Sequence, residues 1–395
     1  MQGYRERGYG SSEHETELVN IDFASQYSEN FPKILQALGV SLAVSSYQSH
    51  AVMLLRSRAD ALSCSVKQFV RPMGVCVSED RFLVSTVNRI VNFKSSDMSR
   101  SSVCRGELDD LDLLASKLRD EERDTSSFKQ LRAEQISAIK QCDKLFTERS
   151  SLTTGTLNTH DIAWGDEGLW VVNSSFSCLA TVSSESGFTA RWKPHFISEL
   201  KPEDRCHLNG MAMQDGRPKY VTTFNTQDNQ DSWRTELNGT LIDVDSNEIL
   251  LCGLSMPHSP RCHDGLVYLC NSGLGEVICY NPDTRKQSTV CTLPGFTRGL
   301  SFLGDLMLVA TSQVRASKVV SNIPLTASHT QTDTVCGIWI VNKHNGEILS
   351  KLQFKGDVSQ LYDLCIIPNS TFPEMISGDD ALAAHLYEFT KEVLK

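Results

Sequence analysis

The stretch HDIAWGDEGLWVVNS, residues 160–174, aligns without a gap with HSPRCHDGLVYLCNS, residues 258–272, from the opening histidine to the final Asn-Ser pair. Each stretch contains a polar opening, a short apolar strand, a turn with an acidic residue and a second apolar strand. Two distant segments that share this order indicate a structural unit that the chain uses repeatedly.

The same order begins at about residues 73, 160, 209, 258, 298 and 362, although the last opening shows only one clear strand. Three of the intervals are about 40 to 50 residues, the length of a four-stranded propeller blade. Three further strands, at about residues 40–70, complete the sixth blade and close the ring, which removes exposed sheet edges. The sequence therefore predicts an all-β, six-bladed β-propeller closed by N-terminal strands.

The segments outside the repeats lie at the two ends of the chain and within blade one. Residues 1–28 are polar and predict a flexible tail, and residues 29–375 form the single propeller domain. Residues 376–395 predict a C-terminal amphipathic helix. The charged segment of about residues 100–150 predicts a helical insertion from blade one, because four of its leucines have helical spacing: Leu108, Leu111, Leu114 and Leu118. This insertion is either a solvated decoration or a lid or partner contact.

The composition of the 395-residue chain is that of a globular protein, with 40% hydrophobic and 22% charged residues. A net charge of −10 argues against a nucleic-acid binder, which needs a basic surface. There is no apolar leader and no run of about 18 apolar residues, so we expect a cytoplasmic protein without a membrane span. The 13 cysteines lack a CxxC pair and predict reduced, mostly packed side chains.

The openings resemble a conserved family of unknown function, DUF4915. The segments that carry this resemblance are RPMG (71–74), HDIA (160–163), FSCLAT (176–181), EDRCHLNGMAM (203–213), GLSMPHSPR (253–261), PGFTRGL (294–300) and LYDL (361–364). The resemblance implies a β-propeller over most of residues 35–368. It implies no particular reaction.

The first strand of each propeller blade starts near the central channel, so the opening residues should form a ring at one mouth of the channel. In this chain the ring contains Met73, His160, Asn209, His258, Arg298 and Tyr362. Beside them lie Arg71, Asp161, His207, Arg261 and Asp363. A polar loop, DNQDSWR (228–234), either borders this mouth or is a plain surface loop.

These residue types suit a charged or metal-bound ligand. We expect metal ligation by His160, His207 and His258, with Zn or Cu favoured by histidines and Ca by oxygen ligands. Catalytic roles fall on His160, His258, Tyr362 and Arg298. Substrate contacts fall on Arg71, Arg261, Asn209, Asp161 and Asp363.

Structural roles for the same residues are the alternative. The histidines can instead tie adjacent blades together through buried hydrogen bonds. Arg298 and Arg71 can pair with Asp161 and Asp363 as structural ions.

The ionisable groups at one mouth favour an enzyme that acts on a small polar or anionic metabolite by lyase or hydrolase chemistry, with or without a divalent metal. The alternative is a non-catalytic propeller that binds a ligand or a protein partner, for which the charged insertion at about residues 100–150 is the candidate surface.

Overall fold

The computed structural model describes residues 21–110, 125–235, 237–314 and 333–389, with side chains from Gln130 onward in the helix that begins at Thr125. Six small sheets surround a channel, and the first strand of each sheet contacts the first strands of both neighbouring sheets. This closed ring is the six-bladed propeller that the sequence predicts.

Blades two, three and four each contain four antiparallel strands that follow chain order from the channel outward. Blade two contains β9 (Thr159–Gly165), β10 (Gly168–Asn173), β11 (Cys178–Val182) and β12 (Thr189–Trp192). Blade three contains β13 (Gly210–Gln214), β14 (Arg217–Thr223), β15 (Gly239–Asp243) and β16 (Ile249–Leu254). Blade four contains β17 (Pro257–His263), β18 (Leu266–Asn271), β19 (Glu276–Asn281) and β20 (Lys286–Thr292).

Blades one and five each gain a fifth strand at the outer edge. Blade one contains β5 (Val75–Val77), β6 (Arg81–Ser85), β7 (Arg89–Ser95), β8 (Lys144–Thr153) and, parallel to β8, β26 (Pro373–Ile376). Blade five contains β21 (Phe296–Leu303), β22 (Leu306–Ser312), β23 (Gly337–Asn342), β24 (Ile348–Phe354) and β1 (Ser25–Tyr27). Part of the segment that the sequence assigns to a flexible tail, residues 25–27, is therefore an edge strand, whereas residues 1–20 lie outside the described part.

Blade six confirms the predicted closure of the ring. Its inner strand comes from the C-terminal part of the chain and its three outer strands from the N-terminal part: β25 (Asp363–Ile367), β2 (Ser41–Ser46), β3 (Ala51–Arg58) and β4 (Ala61–Gln68). The helix α1 (Asn30–Ala37) leads into this blade and buries Phe31 and Leu35. It ends before Gly39, whose φ of +66° suits the left-handed residue that follows a helix.

The second strand of a blade is apolar on both faces because it lies between two neighbouring blades. In β10, Leu169 and Val171 pack toward blade one, whereas Trp170 and Val172 pack toward blade three. Six hydrophobic clusters of this kind each join two adjacent blades. The core is therefore a ring of interfaces, which explains why the repeat is visible as paired apolar runs.

In its described residues, the insertion in blade one is helical, with narrower bounds than the sequence predicts. Residues 111–124, with the predicted Leu111, Leu114 and Leu118, lie outside the described part. It contains α2 (Asp97–Cys104) and α3 (Thr125–Gln141), and residues 144–150 belong to strand β8 instead. Both helices pack against the outer edge of the blade in a small core that includes Val103, Ile139 and Leu382. The described helices therefore cover an outer edge of the ring, away from the inner strands.

The C-terminal segment differs from the predicted helix over residues 376–395. Among the described residues it contains only the 3-10 helix Ala383–His385, and residues 386–389 have no regular structure. The segment uses its backbone to bind the insertion, since the Ser99 hydroxyl donates to the Tyr387 carbonyl at 3.1 Å. Residues 390–395 lie outside the described part. None of the described helices has the length and apolar character needed to span a bilayer.

Candidate functional site

Five of the residues that the sequence places at the channel mouth lie close together in the structure. The His160 ring centroid is 4.6 Å from that of His207 and 5.6 Å from that of Tyr362. The Arg298 guanidinium carbon lies 4.3 Å from the centroid of the Tyr362 ring, and Nη2 of Arg298 donates a hydrogen bond to His258. Blades two to six thus each contribute a side chain to one mouth.

His160 is held through its Nδ1 atom. Nδ1 lies 2.7 Å from the Asn158 carbonyl oxygen and 2.8 Å from Ser174 Oγ, and the Ser174 hydroxyl itself donates to the Leu208 carbonyl of the next blade. Because a carbonyl oxygen only accepts, Nδ1 must carry the proton. The Nε2 atom of His160 is therefore a lone-pair acceptor.

His258 is held in the same way, as the alignment of the two stretches implies. Its Nδ1 lies 2.9 Å from the Met256 carbonyl oxygen and 2.9 Å from Ser272 Oγ. Its Nε2 accepts a hydrogen bond of 2.8 Å from Nη2 of Arg298, in agreement with the same tautomer. The shared final serine of the stretches, which the sequence analysis left without a role, fixes the shared opening histidine.

The backbone before each opening explains this arrangement. Asn158 and Met256, each two residues before a histidine, have φ of +53° and +50°. The corresponding residues before Met73 and Asn209 are Arg71 and His207, with φ of +49° each. A left-handed residue at this position turns the chain into the inner strand. In blades two and four the turn also aims a carbonyl at its own histidine.

Burial lowers the pKa of His160 well below its usual value, and the nearby His207 ring adds to this effect. Burial also lowers the pKa of His258, here reinforced by the positive charge of Arg298. Both imidazoles are therefore neutral at physiological pH. A neutral imidazole can accept a proton or a hydrogen bond at Nε2.

His207 differs from the other two histidines because its partner is a carboxylate. Its Nδ1 donates to Oδ2 of Asp204 at 2.8 Å, and the Trp233 ring lies over it with centroids 4.0 Å apart. His207 lies before the inner strand, since β13 begins only at Gly210, so strand alternation does not govern the direction of its side chain. The sequence analysis missed Asp204, although the signal was an acidic residue three positions before a histidine.

Arg298 is a partly buried cation without an anionic partner. No carboxylate of the described residues lies within ion-pair distance of its guanidinium, which contacts the neutral His258 and the rings of Tyr362 and Phe296. Its Nε atom is buried and has no hydrogen-bond partner within the described part of the chain. The predicted structural pairing of Arg298 with Asp161 or Asp363 is wrong.

Other buried donors at the mouth also lack partners among the described residues. They are the hydroxyl of Tyr362, Nδ2 of Asn209 and Nε1 of Trp233, in side chains that are 6%, 3% and 6% exposed. Burial raises the pKa of Tyr362 well above its usual value, so its hydroxyl stays protonated. Oδ1 of Asn209 accepts from the Thr222 hydroxyl at 2.7 Å, which leaves its amide free to donate.

A second layer of the channel is an ion cluster of Arg261, Asp161 and Asp363. Arg261 of blade four lies 2.8 Å from Asp161 of blade two and 3.6 Å from Asp363 of blade six. The carboxylates also accept backbone N–H groups of the next blades, Met211 for Asp161 and Val75 for Asp363. The cluster bridges three alternate blades and so crosses the channel. Contact between these residues and a substrate stays a prediction.

Burial and charge act in opposite directions in this cluster. Burial raises the pKa of Asp363 to about 6 against the opposing charge of Arg261. Burial would lower the pKa of Arg261, but the two carboxylates raise it above its usual value.

Arg71, the other arginine assigned to substrate, is exposed, and its backbone N–H donates to Nδ1 of His50 at 3.2 Å.

An apolar wall completes the mouth. Phe224, Trp233, Met256 and Val314 form a buried cluster, with Leu237 and Phe296 packed against it. The polar loop 228–234 therefore does border the mouth, through Trp233. It is anchored because the Ser232 hydroxyl donates to the Arg205 carbonyl at 2.8 Å, and Arg205 forms an ion pair of 2.7 Å with Asp228.

The metal site predicted at His160, His207 and His258 gains no support from this geometry. Nε2 of His258 accepts from a cation, which opposes metal binding at that atom. Within the described ranges, no three histidine, cysteine, aspartate or glutamate side chains group so that they could hold a metal ion.

Comparisons with known proteins gave matches to a family model and to solved structures. A family model, the domain of unknown function DUF4915, matches residues 29–119 and 120–376. No curated protein matches. A nidogen/laminin complex structure contains a similar chain at 10% identity with a TM-score of 0.49, covering 84% of this chain and 99% of that one. A protein of unknown function from Bacteroides caccae is 9% identical with a TM-score of 0.46, covering 83% and 98%.

Proposed function

The chain belongs to the DUF4915 family, and since that family carries no assigned reaction, we propose from the site alone that the channel mouth binds a small anionic metabolite and catalyses proton transfer on it. The reaction class is that of a lyase or a hydrolase. The residues that contact the ligand are Arg298, Tyr362, His160 and His207.

The observation that carries the proposal is the charge of Arg298. A buried guanidinium is nearly always paired with an anion, as Arg261 is with Asp161 and Asp363 in the layer below. Arg298 has no such partner among the described residues, and its stacking on Tyr362 and its hydrogen bond to His258 hold it in one orientation. A ligand carboxylate would supply the missing charge.

Two further features favour chemistry over binding alone. The neutral Nε2 atom of His160 is a potential proton acceptor, and the carboxylate of Asp204 holds the neighbouring His207 ring through Nδ1. The Tyr362 hydroxyl is a fixed donor that can stabilise negative charge as it develops on the substrate. In this scheme an imidazole removes a proton, while Arg298 holds the carboxylate.

The experiment begins with ligand-induced thermal shifts for acetate, propionate, lactate, malate and inorganic phosphate. We expect at least one probe to raise the melting temperature of the native protein, and Arg298→Met to abolish the shift. Arg285→Met removes an equal charge from the exposed surface and should keep it. If no probe stabilises the protein, or if Arg298→Met responds as the native protein does, the anion site is wrong.

Proton NMR in D2O then tests catalysis on the probes that bind. We expect a C–H signal next to the carboxylate of a bound probe to disappear with time in the presence of the protein, and to persist with His207→Gln. Binding without any exchange or product would overturn the catalytic part and favour the non-catalytic ligand binder.

A further inference from the structure

The unpaired atoms at the mouth also indicate the chemical class of the ligand. We infer that the ligand is a hydroxylated monocarboxylate, an acid that carries a hydroxyl group next to its carboxylate. The inference rests on the proposed function, because it assumes that a ligand anion binds Arg298.

The unpaired hydrogen-bond donors at the mouth determine which acceptors the ligand must carry. Four N–H or O–H groups at the mouth are buried without a partner in the described part of the chain: the hydroxyl of Tyr362, Nδ2 of Asn209, Nε1 of Trp233 and Nε of Arg298. A buried donor left unpaired is costly, so native structures rarely keep several in one place. The ligand therefore has to present several oxygen acceptors, as a carboxylate with an adjacent oxygen does.

The unpaired acceptors at the mouth determine that the ligand must also carry a donor. Nδ1 of His160 and Nδ1 of His207 are occupied by Asn158 and Asp204, so each ring in its neutral form carries its lone pair at Nε2, and neither Nε2 atom has a partner among the described residues. A simple carboxylate such as propionate has no proton to donate to them. A hydroxyl group supplies a donor to an imidazole and an acceptor to a nearby N–H group.

The charges of Arg298 and Asp204 determine how many negative charges the ligand can carry. Arg298 is the one unpaired cation among the mouth residues described above, and the carboxylate of Asp204 lies 2.8 Å from Nδ1 of the neighbouring His207. A second negative charge on the ligand would have no cation to bind and would be repelled by Asp204. A monoanion therefore fits better than a dicarboxylate or a phosphate dianion.

The test compares pairs of acids that differ by one hydroxyl, using titration calorimetry on the native protein. Lactate should bind at least tenfold more tightly than propionate, and also more tightly than malate or inorganic phosphate. A site built to hydrogen-bond a ligand hydroxyl discriminates strongly against the analogue that lacks it. Equal affinity for lactate and propionate, or a preference for malate or phosphate, would overturn the inference and leave the anion site standing.

Variants separate this inference from the proposed function. Arg298→Met should abolish binding of both lactate and propionate. His207→Gln with His160→Gln should reduce the lactate preference toward unity while propionate still binds. If lactate and propionate both fail to bind the native protein while malate or phosphate binds, only this inference fails; if none of the probes binds, the proposed function fails with it.

Discussion

Nη2 of Arg298 donates a hydrogen bond to Nε2 of His258 at 2.8 Å, so a cation at the channel mouth is held by a neutral imidazole instead of a carboxylate. This contact orients the guanidinium without neutralising it. The contact favours a role for His258 as a residue that positions Arg298, whereas the catalytic role indicated by the sequence stays a prediction.

Replacement of His258 tests that positioning role. His258→Phe keeps an aromatic ring but removes the acceptor for Arg298, so the affinity for a bound probe anion should fall about tenfold, the equivalent of one charge-assisted hydrogen bond. His263→Phe is the matched control, because His263 stacks on Phe302 at the other end of the same strand. Calorimetry on both variants checks this, and equal losses would contradict it.

The two aligned serines should differ in their contribution to stability. Ser174→Ala removes the contact to His160 and also the hydrogen bond to the Leu208 carbonyl, so we expect a loss of about 1–3 kcal/mol in the free energy of unfolding. Ser272→Ala removes only the contact to His258, and the loss should be smaller. Urea unfolding of both variants measures the difference, with Ser186→Ala at an exposed position as control. A larger loss of unfolding free energy in Ser272→Ala would refute the role of Ser174 as a hydrogen-bonded link between blades two and three.

Asp363 should make the protein less stable as the pH rises from about 4 to about 6. Its pKa is raised to about 6 in the folded chain, whereas the unfolded value is about 3.9, so the folded state binds more protons in this window. The stability of the native protein relative to Asp363→Asn should therefore fall by about 2 kcal/mol between pH 4 and pH 6. Urea unfolding between pH 3.5 and pH 7 measures this fall, and exposed Asp379→Asn should show none. A constant difference would contradict the prediction.

The buried histidines should have the opposite effect on the pH dependence of the free energy of unfolding. The pKa of His160 is lowered well below 6.5 by burial, so below about pH 6.5 the unfolded chain binds more protons than the folded chain. The free energy of unfolding should therefore decrease as the pH falls from about 7 to 5. His160→Gln should weaken this decrease in urea unfolding experiments, and an unchanged decrease would contradict the prediction.

The architecture could be predicted because it is encoded locally and repeatedly. Each blade needs polar openings, paired apolar strands and tight turns, and the alignment of residues 160–174 with 258–272 displays all of them. Closure by β2, β3 and β4 followed from counting strands at the two ends. The C-terminal segment was harder, because Leu382 and Leu386 have helical spacing yet pack as an irregular segment on the insertion.

Part of the site could also be predicted, since the first strand of every blade reaches the channel. The ring positions of His160, His258, Arg298 and Tyr362 follow from the repeat alone. Asp204 and Trp233 were missed because they belong to connecting segments, where no periodicity indicates direction.

The sequence by itself determined the topology, the ring of opening residues and the shared histidine and serine of two blades, because all of these depend on local order along the chain. Only the tertiary structure decided which arginine is neutralised. Arg261 follows a register irregularity in β17 and Arg298 precedes one in β21, so the two-residue alternation of side chains is broken beside both. Their side chains reach groups that are 40 to 102 residues away, so Arg261 meets two carboxylates while Arg298 meets an imidazole.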